Sequence, residues 1–223
     1  MKLDARVPVC VFAKPPVAGE TKTRLARGGL GAEAAARLAR AFFEDTWATV
    51  SALEWARPVL ATTAPELSAF GLTSDVEVWM QGPGDLGERM ARVLARAVAE
   101  AGRGMVIGAD LPGLPRRHLD VAREALARHE AVLGPTDDGG FYLLGLWRVP
   151  DGILTGLPWS SPDTLARTEL RLAGAGLGAA RAPPWFDVDV PGDLARLRRL
   201  LAEHPEVAPR TRAALASLAP AEA

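Results

Sequence analysis

Short β-branched and apolar runs alternate along this chain with longer stretches of helical periodicity, and few folds accept such an alternation. Val7–Ala13 reads as a buried strand, and residues 58–62, 76–80 and 104–109 as three more. Between them, residues 32–53 and 85–101 carry helical patterning. The second of these is the clearest helix: Met90, Val93, Leu94, Ala97, Val98 and Ala101 recur at the spacing of one buried face. A helix over 119–127, strands over 131–134 and 141–147, and a helix over 163–173 follow. Ser161 and Pro162 suit the cap and first turn of that last helix. Residues 179–182 read as an edge strand, and helices over 194–201 and 209–218 close the chain. Strands alternating with helices predict an α/β architecture with a mostly parallel central sheet and helices on both faces. In such sheets ligands bind at the carboxyl ends of the strands.

No linker or repeat divides the 223 residues, so they are expected to form one domain over 1–223. A net charge of −1 argues against a broad nucleic-acid or anionic-membrane surface. No apolar stretch reaches the ~20 residues that span a bilayer. The N-terminus lacks a signal-like apolar region, so a cytoplasmic protein is expected. The lone Cys10 lies in an apolar run and reads as a buried core thiol. His118, His129 and His204 show no metal-ligand spacing and read as helix-surface residues.

Four loops carry chemistry. Lys14-Pro15-Pro16-Val17-Ala18-Gly19-Glu20-Thr21-Lys22-Thr23-Arg24 follows the first strand and opens toward a helix, where free backbone N–H groups favour phosphate. Gly19 permits a tight turn, and Lys14, Lys22 and Arg24 supply positive charge. Of 26 basic residues only Lys2, Lys14 and Lys22 are lysines, so two of three point charges fall in this loop. The glycine directly before the lysine that a P-loop requires is missing. The second loop places Asp110 directly after an apolar strand, where a carboxylate can hold Mg2+ or Mn2+ or cap a helix. The third, Asp137-Asp138-Gly139-Gly140, joins adjacent acids to a backbone that can approach a ligand closely. The fourth holds Asp187 and Asp189, which point the same way if the segment is extended. A cation-lined loop with two separated carboxylates is what a metal-bridged diphosphate requires. A dinucleotide fingerprint is not supported, because Gly102-Arg103-Gly104 precedes a strand where that fingerprint follows one.

With these residues in hand, the chain resembles the small bacterial GT-A-type glycosyltransferases of the arsenosugar-biosynthesis-like or radical-SAM/selenodomain-associated kind. It is similar, more distantly, to molybdenum-cofactor and sugar-phosphate nucleotidyltransferases of the same nucleotide-diphospho-sugar transferase superfamily. The shared motifs are Phe12-Ala13-Lys14 with Gly19, Lys22-Thr23-Arg24-Leu25, then Gln81 with Gly84-Asp85-Leu86-Gly87-Glu88-Arg89-Met90. They continue through Gly108-x-Asp110-x-Pro112, Asp138-Gly139-Gly140-x-Tyr142, Trp159-Ser160-Ser161-Pro162 and Asp187-Val188-Asp189-x-Pro191.

The resemblance implies a single-domain, Rossmann-like GT-A fold in which Lys14, Lys22 and Arg24 hold the diphosphate. Gln81, Gly84 and Asp85 would lie near the base and ribose. Asp110 would hold the metal, Mg2+ or Mn2+, with Asp189 or, less favoured, Asp187. Asp137, Asp138, Gly139, Gly140 and Trp159 would face the sugar or the acceptor. Asp138 would serve as catalytic base and Lys22 as the catalytic cation at the leaving group. Val190 stands where threonine is common and removes a hydroxyl cap. Gly192 stands where an acid is usual. The expected reaction is metal-dependent transfer of a sugar from a nucleotide-sugar to a small-molecule acceptor. The alternative is nucleotidyl transfer from a nucleoside triphosphate with release of pyrophosphate. A nucleotide-binding regulator without turnover fits less well, since every expected acid and base is present.

Overall fold

A computed structural model describes residues 6–73 and 75–218. The β-branched run Val7–Ala13 forms β1, which lies between β2 (Ala56–Thr62) and β4 (Gly104–Gly108). With β3 (Val78–Met80), β5 (Ala131–Pro135), β6 (Phe141–Leu146) and β7 (Ala179–Arg181) they build a seven-stranded sheet of order β3-β2-β1-β4-β6-β5-β7. Only β6 runs against its neighbours, through antiparallel pairing with β4 and β5. The expected mostly parallel sheet is therefore present, and the carboxyl ends of its parallel strands share one edge.

Alternation along β1 feeds two cores at once. Val7, Val9, Val11 and Ala13 face one side with Phe43 and Val50 of α2 (Ala32–Ser51) and Leu119, Ala122 and Leu126 of α4 (Arg116–Leu126). Cys10 faces the other side with Met90, Val93, Leu94 and Ala97 of α3 (Leu86–Ala101) and Leu172 of α5 (Thr164–Gly174). A third core joins α2 to α6 (Pro191–Glu203) and α7 (Pro209–Ala216) through Leu38, Phe42, Leu197 and Leu215. No helix among the described residues is long and apolar enough to cross a membrane.

Several boundaries differ from the sequence reading. The helix expected from Asp163 starts at Thr164, and Ser161 does not cap it. Instead the Ser161 hydroxyl accepts from the Asp163 N–H at 3.3 Å, and Thr164 Oγ1 donates to the carbonyl oxygens of Pro158 and Ser161. Local turn bonding has outcompeted the cap. α4 begins at Arg116, three residues earlier than expected, because the polar run Arg116-Arg117-His118 hides its first turn from apolar periodicity. His118 is not the surface residue its sequence context suggested: it is buried with its ring edge-on to Trp185. At α6 Val190 offers no hydroxyl, and the Asp193 carboxylate reaches back to accept from the N–H groups of Asp189 and Val190, both at 2.8 Å.

Candidate active site

The carboxyl edge of the sheet opens into a cleft of about 730 Å³. Its first wall is the loop after β1. Thr21 stitches that loop by accepting from the Val17 N–H and donating to the Pro15 carbonyl, each at 3.2 Å. Lys22 then takes left-handed backbone angles (φ 51°) to start the single turn α1 (Thr23–Leu25), and Leu25 buries itself against α2 and α6. This arrangement exposes Lys14 and Arg24 at the cleft with no acidic partner among the described residues.

Lys22 is placed differently. Its ammonium lies 2.6 Å from Asp110 Oδ2 and 2.5 Å from Asp189 Oδ1, and its side chain is only 4% exposed. Burial alone would discharge the amine, but the two carboxylates outweigh it and hold Lys22 above its ordinary range. Asp110 follows β4 with five residues between it and α4, which leaves no role as a helix cap. The 187–189 segment runs beside it, held by the Val188 N–H donating to the Asp110 carbonyl at 3.2 Å. As the period-two pattern predicts, Val188 is buried while Asp187 and Asp189 both line the cleft. Burial, reinforced by Asp138 and Asp189, pushes Asp187 up to about 6.

The lysine position is a test of whether a divalent cation fits. Two carboxylate oxygens converge on one positive centre, the Lys22 nitrogen, so Asp110 and Asp189 are close enough to share a cation. Among the described residues no group of three or more His, Cys, Asp or Glu forms an all-protein cage. Asp110 and Asp189 therefore suit an ion that takes one or two carboxylates and completes its shell from substrate phosphates and water.

The opposite wall comes from the β3–α3 turn. Gln81 is buried, and its side-chain NH2 donates to the Ala61 carbonyl at 2.8 Å and the Ala13 carbonyl at 3.3 Å, leaving its oxygen to meet a ligand. Arg92 donates to the carbonyls of Gln81 and Pro83 and clamps the turn that carries Gly84. Asp85 lines the cleft but is engaged in a capping box: its carboxylate accepts from the Glu88 N–H at 2.9 Å, and its own N–H donates to Glu88 at 2.8 Å. Arg89, to which the sequence reading gave no role, also lines the cleft. Its place in the shared motif Gly84-Asp85-Leu86-Gly87-Glu88-Arg89-Met90 was the signal that could have drawn attention to it.

The β5–β6 hairpin closes the site. Asp138 Oδ1 accepts from Thr136 Oγ1 at 2.5 Å and from the Gly140 N–H at 3.0 Å, and Asp138, Gly140 and Trp159 all line the cleft. The Trp159 and Phe141 rings meet edge-on, centroids 6.2 Å apart. Three expected residues fall outside the cleft lining. Asp137 instead pairs with Arg196 of α6, because adjacent residues of a tight turn point apart. Gly139 (φ 86°) turns its backbone against Pro162, where an added Cβ would stand 2.1 Å from the carbonyl oxygen. Gly19 (φ 84°) shapes the first loop without lining the site.

Comparison with known proteins places this arrangement. The sequence profile of the family described as "uncharacterized protein conserved in bacteria (DUF2064)" matches residues 44–161. No curated protein matches the sequence. Among solved structures, the chain is similar to a candidate nucleotide-diphospho-sugar transferase from Desulfovibrio desulfuricans G20, with 28% identity and a TM-score of 0.85 over 95% of this chain and 94% of that one. It shares its fold with CMP:2-keto-3-deoxy-manno-octonic acid synthetase complexed with CTP, at 14% identity and a TM-score of 0.56 over 89% and 99% of the two chains. The same holds for 4-diphosphocytidyl-2C-methyl-D-erythritol synthase from Anaerococcus prevotii DSM 20548, at 8% identity and a TM-score of 0.58 over 90% and 98%.

Proposed function

The chain belongs to the DUF2064 family, and from that premise and the geometry of the cleft we propose that it is a metal-dependent glycosyltransferase. It moves a sugar from a nucleotide-diphospho-sugar to a small-molecule acceptor. One observation carries the reading: Asp110 and Asp189 converge on a single cationic position in the cleft that Lys14 and Arg24 line, with no acidic partner for either among the described residues. Carboxylates gathered around a cation, with free cations next to them, suit a diphosphate bridged to the protein by Mg2+ or Mn2+. The likeness to the Desulfovibrio desulfuricans protein supports the donor class.

Asp110 and Asp189 would hold the metal, which when bound stabilises negative charge on the leaving diphosphate. Lys14 and Arg24 approach the same phosphates from the loop after β1. The Lys22 ammonium, released from the two acids, has only to shift within the cleft to reach them. Gln81 and the turn at Gly84 and Asp85 would meet the base and ribose. Asp138, fixed by Thr136 and Gly140, accepts the acceptor hydroxyl's proton as that oxygen bonds to the anomeric carbon. The bond from that carbon to the diphosphate oxygen breaks, and its electron pair leaves with the nucleoside diphosphate.

The test is incubation of the protein with Mg2+ or Mn2+ and a panel of nucleotide-sugars, then of nucleoside triphosphates, with product analysis. Release of free nucleoside diphosphate from a nucleotide-sugar is the expected result. Release of pyrophosphate from a triphosphate would overturn it in favour of nucleotidyl transfer. No turnover of any donor, with binding retained, would leave a nucleotide-binding protein without enzymatic activity.

A further inference from the structure

Arg89 lines the cleft and has no acidic partner among the described residues. Its side chain lines the site, its Nε is buried, and no acceptor meets that nitrogen. The nearest acid in sequence, Glu88, is engaged in the capping box with the Asp85 N–H. A partly buried guanidinium without a counter-ion is costly, because desolvation is not offset by pairing.

The position of Arg89 separates it from the phosphate loop. Leu25, beside Arg24, packs into the core shared with α2 and α6. Met90, beside Arg89, packs into the core on the opposite face of the sheet, and Phe141 and Trp159 pack on that same core. Arg24 is thus carried by the loop after β1, and Arg89 by α3. Gly87 brings α3 against residues 154–159 so closely that an added Cβ would lie 2.1 Å from the Leu154 carbonyl oxygen and 2.9 Å from the Trp159 ring. Arg89 and Trp159 therefore belong to one rigid wall. Trp159 Nε1 is a second buried donor there, with no partner among the described residues.

We propose that Arg89, one helical turn beyond the Gly84–Asp85 turn assigned to base and ribose, recognises the acceptor, and that the acceptor carries its own anionic group, a carboxylate or a phosphate, bound by Arg89 beside the aromatic surface of Trp159 and Phe141. The inference rests on the reading that the donor diphosphate occupies the wall of Lys14 and Arg24. A guanidinium suits either anion through paired N–H donors.

The experiment measures binding by calorimetry to wild type, Arg89→Gln and Arg89→Lys, each saturated with UDP or another nucleoside diphosphate and Mg2+. The probes are matched pairs: glycerol 3-phosphate against glycerol, and 4-hydroxyphenylacetate against its methyl ester. Wild type should prefer the charged member of at least one pair by about tenfold or more, the worth of one charge-assisted hydrogen bond. Which pair shows the preference separates phosphate from carboxylate. Arg89→Gln should erase the preference, Arg89→Lys should keep part of it, and nucleoside diphosphate affinity should stay within about twofold in both. The Arg89→Gln melting temperature should not fall, since an unpaired cation is removed. Equal affinity within both pairs, or no binding of either acid, would overturn the proposal. So would loss of diphosphate affinity in Arg89→Gln, which would assign the residue to the donor. Failure of wild type to bind any nucleoside diphosphate would instead count against the proposed donor site, and the acid–neutral comparison then proceeds on the protein alone.

Discussion

Lys22 holds a position that a lysine in a Pro- and Gly-rich loop would not suggest. Its ammonium lies between Asp110 and Asp189, 2.6 and 2.5 Å from their oxygens, and so competes with any cation for the same two ligands. Unit charges 4 Å apart attract by about 4 kcal/mol near a protein surface. The acids are 38% and 49% exposed, so solvent discounts that figure considerably. Removing the ammonium should still raise affinity for Mn2+ alone by at least about tenfold in Lys22→Met, measured by calorimetry without nucleotide. The same variant should bind nucleoside diphosphate more weakly, because a phosphate contact is lost. Unchanged or weaker Mn2+ binding would show that the lysine does not stand in the ion's place. Neither outcome was legible in the sequence. Lys22 and Asp189 are 167 positions apart, and their pairing exists only once β1, β4 and the 187–189 segment share an edge.

Among the elements, α3 shows both what a sequence reveals and what it hides. Its apolar face was plain from spacing, and its patterning was read from residue 85, the residue that caps it. Hidden was the reason for Gly87, which helical periodicity treats as a mere weakness. In the fold Gly87 is where α3 touches the 154–159 segment, with no room for a methyl group against the Leu154 carbonyl. Gly87→Ala should destabilise the protein by about 1–3 kcal/mol through overpacking, although alanine is the better helix former. Thermal denaturation checks this, and an unchanged or raised midpoint would show that the segment yields. The start of α5 failed for a related reason: Ser161 and Thr164 had partners in their own turn, and propensity cannot weigh those against a cap. Asp137 and Asp138 are alike in local pattern, and only the family resemblance singled out Asp138. The turn divides them, sending one to Arg196 and the other to the cleft.

For the whole molecule, the strands and a mostly parallel sheet were readable because each run is short, apolar and bounded by turn residues, whereas the spatial order and the reversed β6 depend on pairings between distant runs. Which loops meet at the carboxyl edge then followed from topology. The centre of that sheet offers a direct probe of its stability. Cys10 is fully buried in β1, flanked by β2 and β4, and burial pushes its thiol well above the usual range. A thiol reagent should therefore label it only when the sheet opens, at the rate and temperature dependence of global unfolding. Nucleoside diphosphate with Mg2+ should slow the labelling by mass action. Prompt labelling in native buffer would mean that β1 opens on its own. The lysine bridge, finally, bears on how the protein comes into being. Where a structural zinc site leaves a chain unfolded until its ion arrives, here the chain supplies its own counter-charge to the acids it gathers. If Asp110 and Asp189 hold an ion as proposed, the fold is complete without it, and the ion would come and go with each nucleotide as part of the substrate.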